Sequence, residues 1–478
     1  MMRELTPNAW LVLLCGLVLL LAGVARAEDR PNIVFIIADD LGYTDLGCYG
    51  SDFYRTPNLD RFAGQAMRLT DGYANCANCA PTRAALMSGM YAPRTGVYTV
   101  GNAERGRARG RMLIPTTNND TLDPGVVTLA EVLNAAGYTT AHLGKWHLGE
   151  PGTSAGPLAQ GFDLNVGGNH GGSPRSYFSP YRNPALEDGP VGEYLTDRLT
   201  REAVAFMSQH AQRDQPFFLY LSFYTVHTPI QPEPTRVDSI QQRQPGERHR
   251  HVKYAAMVEA MDHYTGRVLD ALDDLGLADN TIVIFTSDNG GHGSFTDQHP
   301  LRGSKGMFYE GGIRVPLIVR WPGVTKPGSE CDEPVLLFDF YPTLTAAAGG
   351  ELPADQPVDG VDLGPVLRDP GATLGRDAIY FHFPAYLQGY AGGEGAEAQR
   401  PPWRATPCSV VRSGDWKLLL YFETDTVELF NLKDDPGEQN DLAATNPAKA
   451  MELLTMLRLW HQETNAAIPT ERNPEFVP

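Results

Sequence analysis

Short apolar segments alternate along the chain with longer amphipathic ones. Residues 32–38, 217–223 and 281–285 are nearly continuous apolar runs, as expected for strands that are buried on both faces. Residues 254–275 carry apolar side chains at helical spacing and end at Gly276, which indicates a long amphipathic helix. Strands and helices in this alternation predict an α/β fold with a large, mostly parallel sheet flanked by helices.

Two shorter helices are predicted from the residues that begin and end them. Residues 56–67 open with a Thr-Pro pair, which suits a first helical turn, and the apolar face of this helix is expected to reach Met67. Residues 128–137 open with the spacing of a capping box and end at a glycine. Residues 138–143 are then expected to form a strand.

The pattern changes near residue 365. Residues 378–383 and 416–421 are typical of shorter strands, and residues 448–462 of a closing helix. This part is predicted to be a smaller α+β domain with a short antiparallel sheet. The predicted units are a signal peptide at 1–27, a catalytic domain at 28–365 and a C-terminal α+β subdomain at 366–478.

The N-terminus has the pattern of a targeting segment. Arg3 precedes an apolar run at residues 9–24, and Ala25-Arg26-Ala27 fits a small-x-small cleavage site. The alternative is an uncleaved anchor, although the run is short for a membrane span. We expect the mature protein to begin near Glu28 as an exported, periplasmic or secreted protein with no stable membrane span.

The formal charge of the chain argues against nucleic acid as a partner. Lys and Arg number 39 against 57 Asp and Glu, a net charge of −18. An acidic protein that handles an anionic substrate needs a local basic site. Two basic runs, Arg105–Arg111 and Arg248–His251, either bind a polyanionic chain by charge or are solvated surface loops.

Acidic and amide side chains follow two predicted strands directly. Asp39 and Asp40 come after the first strand, and Asp288 and Asn289 after the strand at 281–285. Sites in open α/β sheets form outside the carboxyl ends of strands, so the two groups are expected to converge. Their oxygen atoms suit Ca²⁺ or Mg²⁺ rather than Zn²⁺. Either group alone would be only a turn.

Six cysteines lie at irregular spacing, which gives no disulfide framework. Cys15 belongs to the targeting segment. Cys76 and Cys79 form a C-x-x-C pair, for which a thioredoxin-like redox site is the competing interpretation. The pairing of the others stays open; these are Cys48, Cys76, Cys331 and Cys408.

The segment that begins at Cys79 reads C-x-P-x-R-x-x-x-x-x-G. It resembles the signature of the type I sulfatases, whose cysteine is converted to formylglycine (3-oxoalanine). Thr82 stands where serine is commoner in that family. Further motifs of the family follow in the same order from residue 32 to about 442. These include residues 37–42, 56–60, 144–149, 224–229, 287–290, 302–306 and 310–316.

The resemblance, which is to the arylsulfatase A and N-acetylgalactosamine-6-sulfatase branch, implies an alkaline phosphatase-like fold and a set of site residues. One Ca²⁺ per subunit, with Mg²⁺ as the alternative, would be held by Asp39, Asp40, Cys79, Asp288 and Asn289. The catalytic residues would be Cys79, Arg83, Lys145, His147, His227 and Lys305. Lys145 and His147 could share a face if their segment stays extended. A formylglycine-generating or equivalent enzyme would be a maturation partner.

The activity implied is hydrolysis of O-sulfate esters on a sulfated small molecule or glycan. One hydroxyl of the hydrated aldehyde would attack sulfur and form a covalent sulfate ester as the alcohol of the substrate leaves. The other hydroxyl would then lose its proton, so that the aldehyde reforms and sulfate is expelled. The alternatives are a phosphonate monoester or phosphodiester hydrolase of the same superfamily, and an inactive sulfated-glycan-binding protein.

Two loops are candidates for contacts with the rest of the substrate. His170 lies in the Gly-rich segment 167–172 and either touches the leaving group or is an exposed loop residue. The loop 384–407 carries aromatic and arginine side chains that suit either a sugar ring or packing between domains. They are Tyr386, Tyr390, Trp403 and Arg404.

Overall fold

The computed structural model describes residues 30–389 and 403–477. The predicted signal peptide and Tyr390 lie outside the described residues. Within them, no helix has both the length and the apolar composition needed to cross a membrane.

An eight-stranded sheet forms the centre of the molecule, with the strand order β5-β4-β6-β1-β7-β8-β2-β9. Five of its seven neighbouring pairs are parallel, and β8 runs antiparallel to both of its neighbours. The mostly parallel sheet is therefore confirmed. Its strands are β1 (Asn32–Ala38), β2 (Met67–Leu69), β4 (Thr139–Gly144), β5 (Leu164–Val166), β6 (Phe217–Ser222), β7 (Thr281–Ser287), β8 (Leu317–Arg320) and β9 (Ser329–Cys331). A separate two-stranded pairing joins β3 (Gly72–Tyr73) to β10 (Val335–Leu336).

Helices cover both faces of this sheet. They are α1 (Pro57–Gln65), α2 (Cys79–Ser88), α3 (Ala92–Thr95), α4 (Leu129–Ala135), α5 (Leu195–His210), α6 (Pro234–Ile240), α7 (Val252–Asp274), α8 (Glu310–Ile313), α9 (Phe340–Ala347) and α10 (Gly364–Arg368). Alternate residues of β1 enter two different apolar clusters. Val34 and Ile36 pack with α5 and α7, whereas Phe35 and Ile37 pack with α2, α4 and α9. Burial on both faces is why this strand is apolar throughout.

The predicted extent of the first helix was wrong at its end. The helix stops at Gln65, Ala66 is extended, and Met67 begins β2, where it pairs with Val319. Met67 is fully buried in this strand. Its apolar side chain fits a core position of a helix or of a strand, so the spacing alone did not distinguish them. The capping box at Thr128 is present and begins α4 as predicted.

A four-stranded antiparallel sheet makes up most of the C-terminal part. It consists of β11 (Ile379–Phe383), β14 (Cys408–Ser413), β15 (Trp416–Tyr421) and β16 (Thr426–Asn431), and α11 (Pro447–Glu463) packs against it. A short pairing joins β12 (Leu387–Gln388) and β13 (Trp403–Ala405). The domain boundary predicted between residues 365 and 366 stays a prediction. Both residues lie in α10.

A buried charged cluster joins the small sheet to the large domain. Lys417 on β15 contacts Glu310 at 2.9 Å and Glu438 at 2.8 Å, and Tyr73 donates to Glu310 at 2.6 Å. Arg412 on β14 pairs with Asp71 at 2.5 Å. Glu310 begins α8, directly after the loop that carries Lys305, so the small sheet supports one wall of the candidate site.

Candidate active site

Four neighbouring strands bring the predicted site residues to one edge of the sheet. The strands β4, β6, β1 and β7 are mutually parallel, so their carboxyl ends meet. Asp39 follows β1, Asp288 follows β7, Lys145 follows β4, and His227 lies five residues beyond β6. The convergence that the sequence predicted for the two acidic groups is therefore seen in the geometry.

Three carboxylates at this edge each pair with a cation. Lys145 Nζ lies 2.9 and 2.8 Å from the two carboxylate oxygens of Asp39, and all of these atoms are buried. Arg83 donates to Asp288 Oδ2 through Nε at 2.9 Å and through Nη2 at 2.7 Å. Lys305 Nζ lies 2.5 Å from Asp40 Oδ1. The side chains Asp39, Asp40, Asp288, Lys145, Arg83 and Lys305 form what is called the catalytic cluster below.

Cys79 begins helix α2, so it lies at the positive end of the helix. The helix starts at Cys79 itself and runs to Ser88. Sγ of Cys79 and carboxylate oxygens of Asp39 and Asp288 lie within 4.8 Å of one another, as do ligand atoms of Asp39, Asp40 and His227. Arg83, one turn along α2, faces Asp288 and positions that carboxylate.

The residues present fit a hard divalent cation. Asn289 donates from Nδ2 to Asp40 Oδ1 and to the carbonyl of Gly290, both at 2.9 Å. Its buried Oδ1 has no hydrogen-bond partner among the described residues. An unpaired buried oxygen beside three carboxylates is the donor set that Ca²⁺ and Mg²⁺ prefer.

Burial and charge act in opposite directions on the two aspartates after β1. Burial raises the pKa of Asp39 to about 8 against the lowering by Lys145, and Asp288 and Asp40 raise it further. Burial also acts to raise the pKa of Asp40, but Lys305 and His227 outweigh it, and this pKa lies below the ordinary value. A divalent cation at the carboxylates would favour the ionised form of Asp39.

The two histidines of the site are neutral. Burial, followed by the charge of Lys145, holds the pKa of His147 well below its usual value. Burial and then Lys305 lower the pKa of His227 to about 3. His227 Nδ1 contacts the carbonyl of Thr228 at 2.7 Å, while Nε2 lies 3.6 Å from Asp40 Oδ2, too far for a hydrogen bond.

Backbone strain marks two positions of the site. Asp40 has φ 62° and His147 has φ 65°, values that residues other than glycine seldom adopt. The extended segment on which the sequence argument for Lys145 and His147 depended is therefore absent. Lys145 nevertheless reaches the site, where it pairs with Asp39 at 2.8 Å, and the ring of His147 lies 6.3 Å from the ring of His170.

His170 lies at the rim of the site rather than inside it. Its Nε2 lies 3.0 Å from Asp120 Oδ2, and the side chain is 29% exposed. It lines a cavity of about 180 Å³ together with Asn169, Arg175, Arg182 and Asn183. Gly172 lies between Gly171 and Ser173, which also line this cavity. A Cβ on Gly172 would lie 2.5 Å from Cε1 of His147, so the cavity wall packs against that ring.

The basic run at 248–251 is largely structural. Arg248 donates to the carbonyls of Gly50 and His299, and His249 is fully buried and stacks on Tyr54. His251 caps helix α7 by accepting from the amide of Tyr254.

Some site residues were missed by the sequence argument. Ser222, the last residue of β6, contacts Arg83 through Oγ. Ser287 accepts from the amide of Leu41 at 3.0 Å and donates to the carbonyl of Asn289 at 2.9 Å, which ties the two acidic loops together. Both serines end buried strands, and their position at the carboxyl end of a strand was the signal that could have identified them.

A close backbone approach explains the glycines that follow Asn289. A Cβ on Gly290 would lie 2.0 Å from the carbonyl oxygen of Gly311, and the amide of Gly290 donates to the carbonyl of Gly312 at 2.9 Å. The Gly-Gly pair of α8 thus fixes the loop that carries Asp288 and Asn289.

The cysteines do not form a redox pair. Cys76 and Cys79 are both buried free thiols, and Cys48, Cys331 and Cys408 are free as well. Burial raises the pKa of Cys76 to about 12 and raises that of Cys79. A thioredoxin-like thiol needs a lowered pKa, whereas burial raises the pKa of both thiols, which disfavours the redox interpretation.

Comparison with known proteins identifies the family. The sulfatase family model matches residues 31–350, about two thirds of the chain, and the model for the C-terminal part of N-sulphoglucosamine sulphohydrolase matches residues 302–464. The chain belongs to the sulfatase family. It is therefore a sulfuric ester hydrolase of the alkaline phosphatase superfamily, and the resemblance stated from its motifs is confirmed.

Individual relatives of this sulfatase agree with that assignment. A sulfatase of Formosa agariphila is 35% identical over 95% of this chain and 92% of its own length. Human arylsulfatase A is 32% identical over 95% of this chain and 91% of its own. The crystal structure of Ps i-CgsB in complex with k-i-k-neocarrahexaose has a TM-score of 0.75 and 29% identity, covering 92% of this chain and 94% of that one.

Proposed function

We propose that this sulfatase is an exported, formylglycine-dependent enzyme that removes O-sulfate groups from carbohydrates with the help of a bound Ca²⁺. In this proposal Cys79 is the precursor of formylglycine, and a maturation enzyme carries out the conversion. Asp39, Asp40, Asp288 and Asn289 hold the cation, with residue 79 completing the shell; Mg²⁺ is the alternative ion. The observation that carries the proposal is the grouping of Cys79 with buried carboxylates at 4.8 Å or less.

The aldehyde hydrate would supply a nucleophilic hydroxyl and a second hydroxyl for sulfate release, and the cation would supply a positive charge beside them. The remaining chemistry falls to side chains of this chain. Lys145 holds Asp39 through both oxygens and adds a positive charge behind the nucleophile position. Arg83 does the same for Asp288 while it anchors β6 through Ser222.

Proton transfer is assigned to His147 and His227, and sulfate binding to Lys305. His147 is neutral, and its buried Nδ1 has no hydrogen-bond partner among the described residues, so it is suited to accept a proton from the nucleophile. Burial opposes the charge of Lys305, but Asp40 outweighs it and raises the pKa of Lys305 above its ordinary value. Lys305 therefore stays charged and is suited to grip sulfate oxygens, whereas its raised pKa makes it a poor proton donor. Protonation of the leaving oxygen is assigned to His227, whose pKa a bound sulfate anion would raise.

A carbohydrate substrate is supported by a similar solved structure and by the side chains that line the rim of the site. The structure with TM-score 0.75 contains an oligosaccharide. The cavity beside His170 is lined by arginine and amide side chains, which can hydrogen-bond to hydroxyl and sulfate groups. His170 is the proposed contact with the sugar on this side.

The reaction can be tested with purified protein from a host that forms formylglycine. Wild-type enzyme should release 4-nitrophenol from 4-nitrophenyl sulfate, and Cys79→Ala should abolish this activity, while Cys76→Ala serves as the matched cysteine control. Turnover of 4-nitrophenyl phosphate and of a 4-nitrophenyl phosphonate ester is measured in parallel. A phosphonate preference above about tenfold, equal to about 1.4 kcal/mol of barrier, would contradict the proposal.

A further inference from the structure

The amide side chains on the wall of the cavity beside His170 are already paired. Asn169 donates from Nδ2 to the carbonyl of Gly167 at 3.1 Å and to Asn183 Oδ1 at 3.0 Å, and Asn183 donates to the same carbonyl at 2.9 Å. The Oδ1 atom of each asparagine also accepts a backbone amide. The asparagines therefore hold the wall in shape, and most of their hydrogen-bonding capacity is used.

The two arginines of the same cavity are not paired. Arg175 and Arg182 both line it and both are exposed. Neither guanidinium makes a hydrogen bond or an ion pair with any residue in the part of the chain that the structure describes. Glu150 is the one carboxylate among the lining residues described, and it forms no ion pair with either arginine. The cavity therefore carries two guanidinium charges against one carboxylate.

The carboxylates nearest to the cavity along the chain have other partners. Helix α5, whose first residue also lines the cavity, holds its own arginines in ion pairs. Arg198 pairs with Glu202 at 2.7 Å and with Glu193 at 3.4 Å, and Arg201 pairs with Asp197 at 3.1 Å. These carboxylates are taken by the arginines of the helix, and the two arginines of the cavity are left without one.

The backbone beside each arginine of the cavity is held in place. Ser176, which follows Arg175, donates to a backbone carbonyl two residues further on at 2.6 Å and accepts the amide of that residue at 3.0 Å. The amide of Tyr181, which precedes Arg182, donates to Asp188 Oδ1 at 2.6 Å. Loops fixed in this way need little ordering when a ligand binds, which favours affinity.

The cavity adjoins both histidines to which proton transfer is assigned. The amide of His147 donates to the carbonyl of Asn169 at 2.9 Å, and Asn169 lines the cavity. Tyr224, whose carbonyl accepts the amide of His227 at 2.9 Å, lines it as well. A sugar whose sulfate ester lies at the catalytic cluster can therefore place a second group in this cavity.

The chemistry of the lining residues suits an anionic group. The planar guanidinium fork matches the oxygen atoms of sulfate and carboxylate groups. The cavity of about 180 Å³ is several times larger than the roughly 30 Å³ of a water molecule in the liquid, which leaves room for such a group. We propose that Arg175 and Arg182 form a second anion subsite, which binds a sulfate or carboxylate group that the substrate carries in addition to the sulfate that is removed. This inference deepens the proposed function and rests on it: the enzyme would select saccharides with at least two anionic groups.

The subsite itself is tested by modification of arginines with phenylglyoxal, in sodium sulfate and in sodium chloride of equal ionic strength. Bound sulfate should slow the modification of Arg175 and Arg182 by about threefold or more, as expected at twice Kd. Arg107 and Arg109 are exposed arginines of another loop and serve as matched controls, since their rates should be the same in both salts. Chymotryptic peptides report the two subsite arginines separately, because Tyr181 lies between them. Equal rates for the subsite arginines in the two salts would overturn the subsite.

Selection for a second anion is tested with saccharides as inhibitors of 4-nitrophenyl sulfate turnover. We expect N-acetylgalactosamine 4,6-disulfate to inhibit at about a tenfold lower concentration than N-acetylgalactosamine 6-sulfate, the usual size of a charge-assisted hydrogen bond. Arg182→Ala should remove this advantage, Arg182→Lys should keep part of it, and Arg107→Ala should keep all of it. The chondroitin 6-sulfate disaccharide, with one sulfate and one carboxylate, distinguishes a carboxylate from a second sulfate as the preferred group.

The outcomes separate the subsite from the reaction. Equal inhibition by the three saccharides, or an equal loss of the advantage in Arg107→Ala, would overturn the selection for a second anion. Absence of 4-nitrophenyl sulfate turnover by the wild-type enzyme would instead contradict the proposed function, and the modification rates would still decide whether the anion subsite exists.

Discussion

Two buried charged clusters in this molecule use the same kinds of side chain in different ways. The catalytic cluster lies at the carboxyl ends of parallel strands. The second, called the linking cluster, consists of Asp71, Glu310, Arg412, Lys417 and Glu438 and joins the small sheet to α8. Each holds buried carboxylates against buried cations.

The clusters differ in whether a cation lies opposite the buried polar atoms that make no hydrogen bond. In the linking cluster Lys417 contacts two carboxylates, and Glu310 also accepts from Tyr73 and donates its amide to Glu438 at 2.7 Å. Glu438 Oε1 makes no hydrogen bond among the described residues but lies 2.8 Å from Lys417 Nζ.

Beside the catalytic cluster, Asn289 Oδ1 and His147 Nδ1 have no hydrogen-bond partner among the described residues. Left-handed backbone does not distinguish the two clusters, since it occurs at Asp40 and His147 and also at Glu438. A buried acceptor with no cation opposite it is a feature of a site that awaits a ligand, whereas carboxylates held against a cation stabilise a fold.

The largest effect is expected in the linking cluster. Lys417→Met would leave Glu310 and Glu438 buried without their cation, which costs about 3–5 kcal/mol of unfolding free energy. Urea unfolding measures this loss, and Lys449→Met, which removes an exposed lysine of α11, is the control. A loss below about 1 kcal/mol, the usual size for a surface pair, would show that the cluster does not stabilise the fold.

In the catalytic cluster we expect the main loss in rate. Lys145→Met removes the cation 2.8 Å from Asp39, and kcat/KM for 4-nitrophenyl sulfate should fall by about 100- to 1000-fold, or about 2.7–4 kcal/mol. Its midpoint of unfolding should change less than that of Lys417→Met, because the proposed cation would still lie opposite Asp39 in the metal-loaded enzyme. Near wild-type turnover of the folded variant would remove Lys145 from the mechanism.

Removal of the metal should affect the catalytic cluster and leave the linking cluster unchanged. Excess chelator is expected to lower both turnover and the midpoint of thermal unfolding, and added Ca²⁺ should restore them. At one hundred times Kd, a bound ion stabilises by about 2.7 kcal/mol. Asp288→Asn should lose this response, while Lys417→Met should retain it. An identical midpoint with and without chelator in the wild type would argue against a resident cation.

A smaller effect is predicted at acid pH, from His382 of the small sheet and His461 of α11. Burial lowers the pKa of His382 to about 3 and that of His461 to about 4, and both rings contact Ser409 Oγ, at 2.7 and 2.9 Å. The unfolded chain binds these protons from about pH 6.5 downwards, so stability should fall as the pH drops from 6.5 towards 4. His382→Gln should reduce this slope, measured by unfolding at several pH values. An unchanged slope would contradict the assignment.

Much of the site could be predicted from the sequence because its chemistry is local to strand ends. Asp39 and Asp288 each follow an apolar run directly, and parallel strands bring such residues together whatever the loops do. The linking cluster could not be predicted in this way. Glu310, Lys417 and Glu438 lie far apart along the chain. No periodicity relates Lys417, on an antiparallel strand, to Glu310 at the start of α8, about one hundred residues earlier.

The strained and loop-borne positions were also beyond the sequence argument. His147 was expected on an extended segment, but it has a left-handed backbone, which depends on packing against Gly172 and on its amide bond to the carbonyl of Asn169. Met67 could not be assigned from the sequence for a related reason. An apolar residue after a helix suits either a further turn of that helix or the start of a strand.

The central claim is that Cys79 becomes the catalytic aldehyde, and mass spectrometry of the tryptic peptide 69–83 tests it most directly. Conversion replaces the thiol group by an aldehyde with a loss of about 18 Da. Cys76 lies in the same peptide and provides an internal reference, because it should remain an alkylatable thiol. We predict one aldehyde and one alkylated cysteine in active protein from its native host. Two alkylated cysteines in fully active protein would contradict the account.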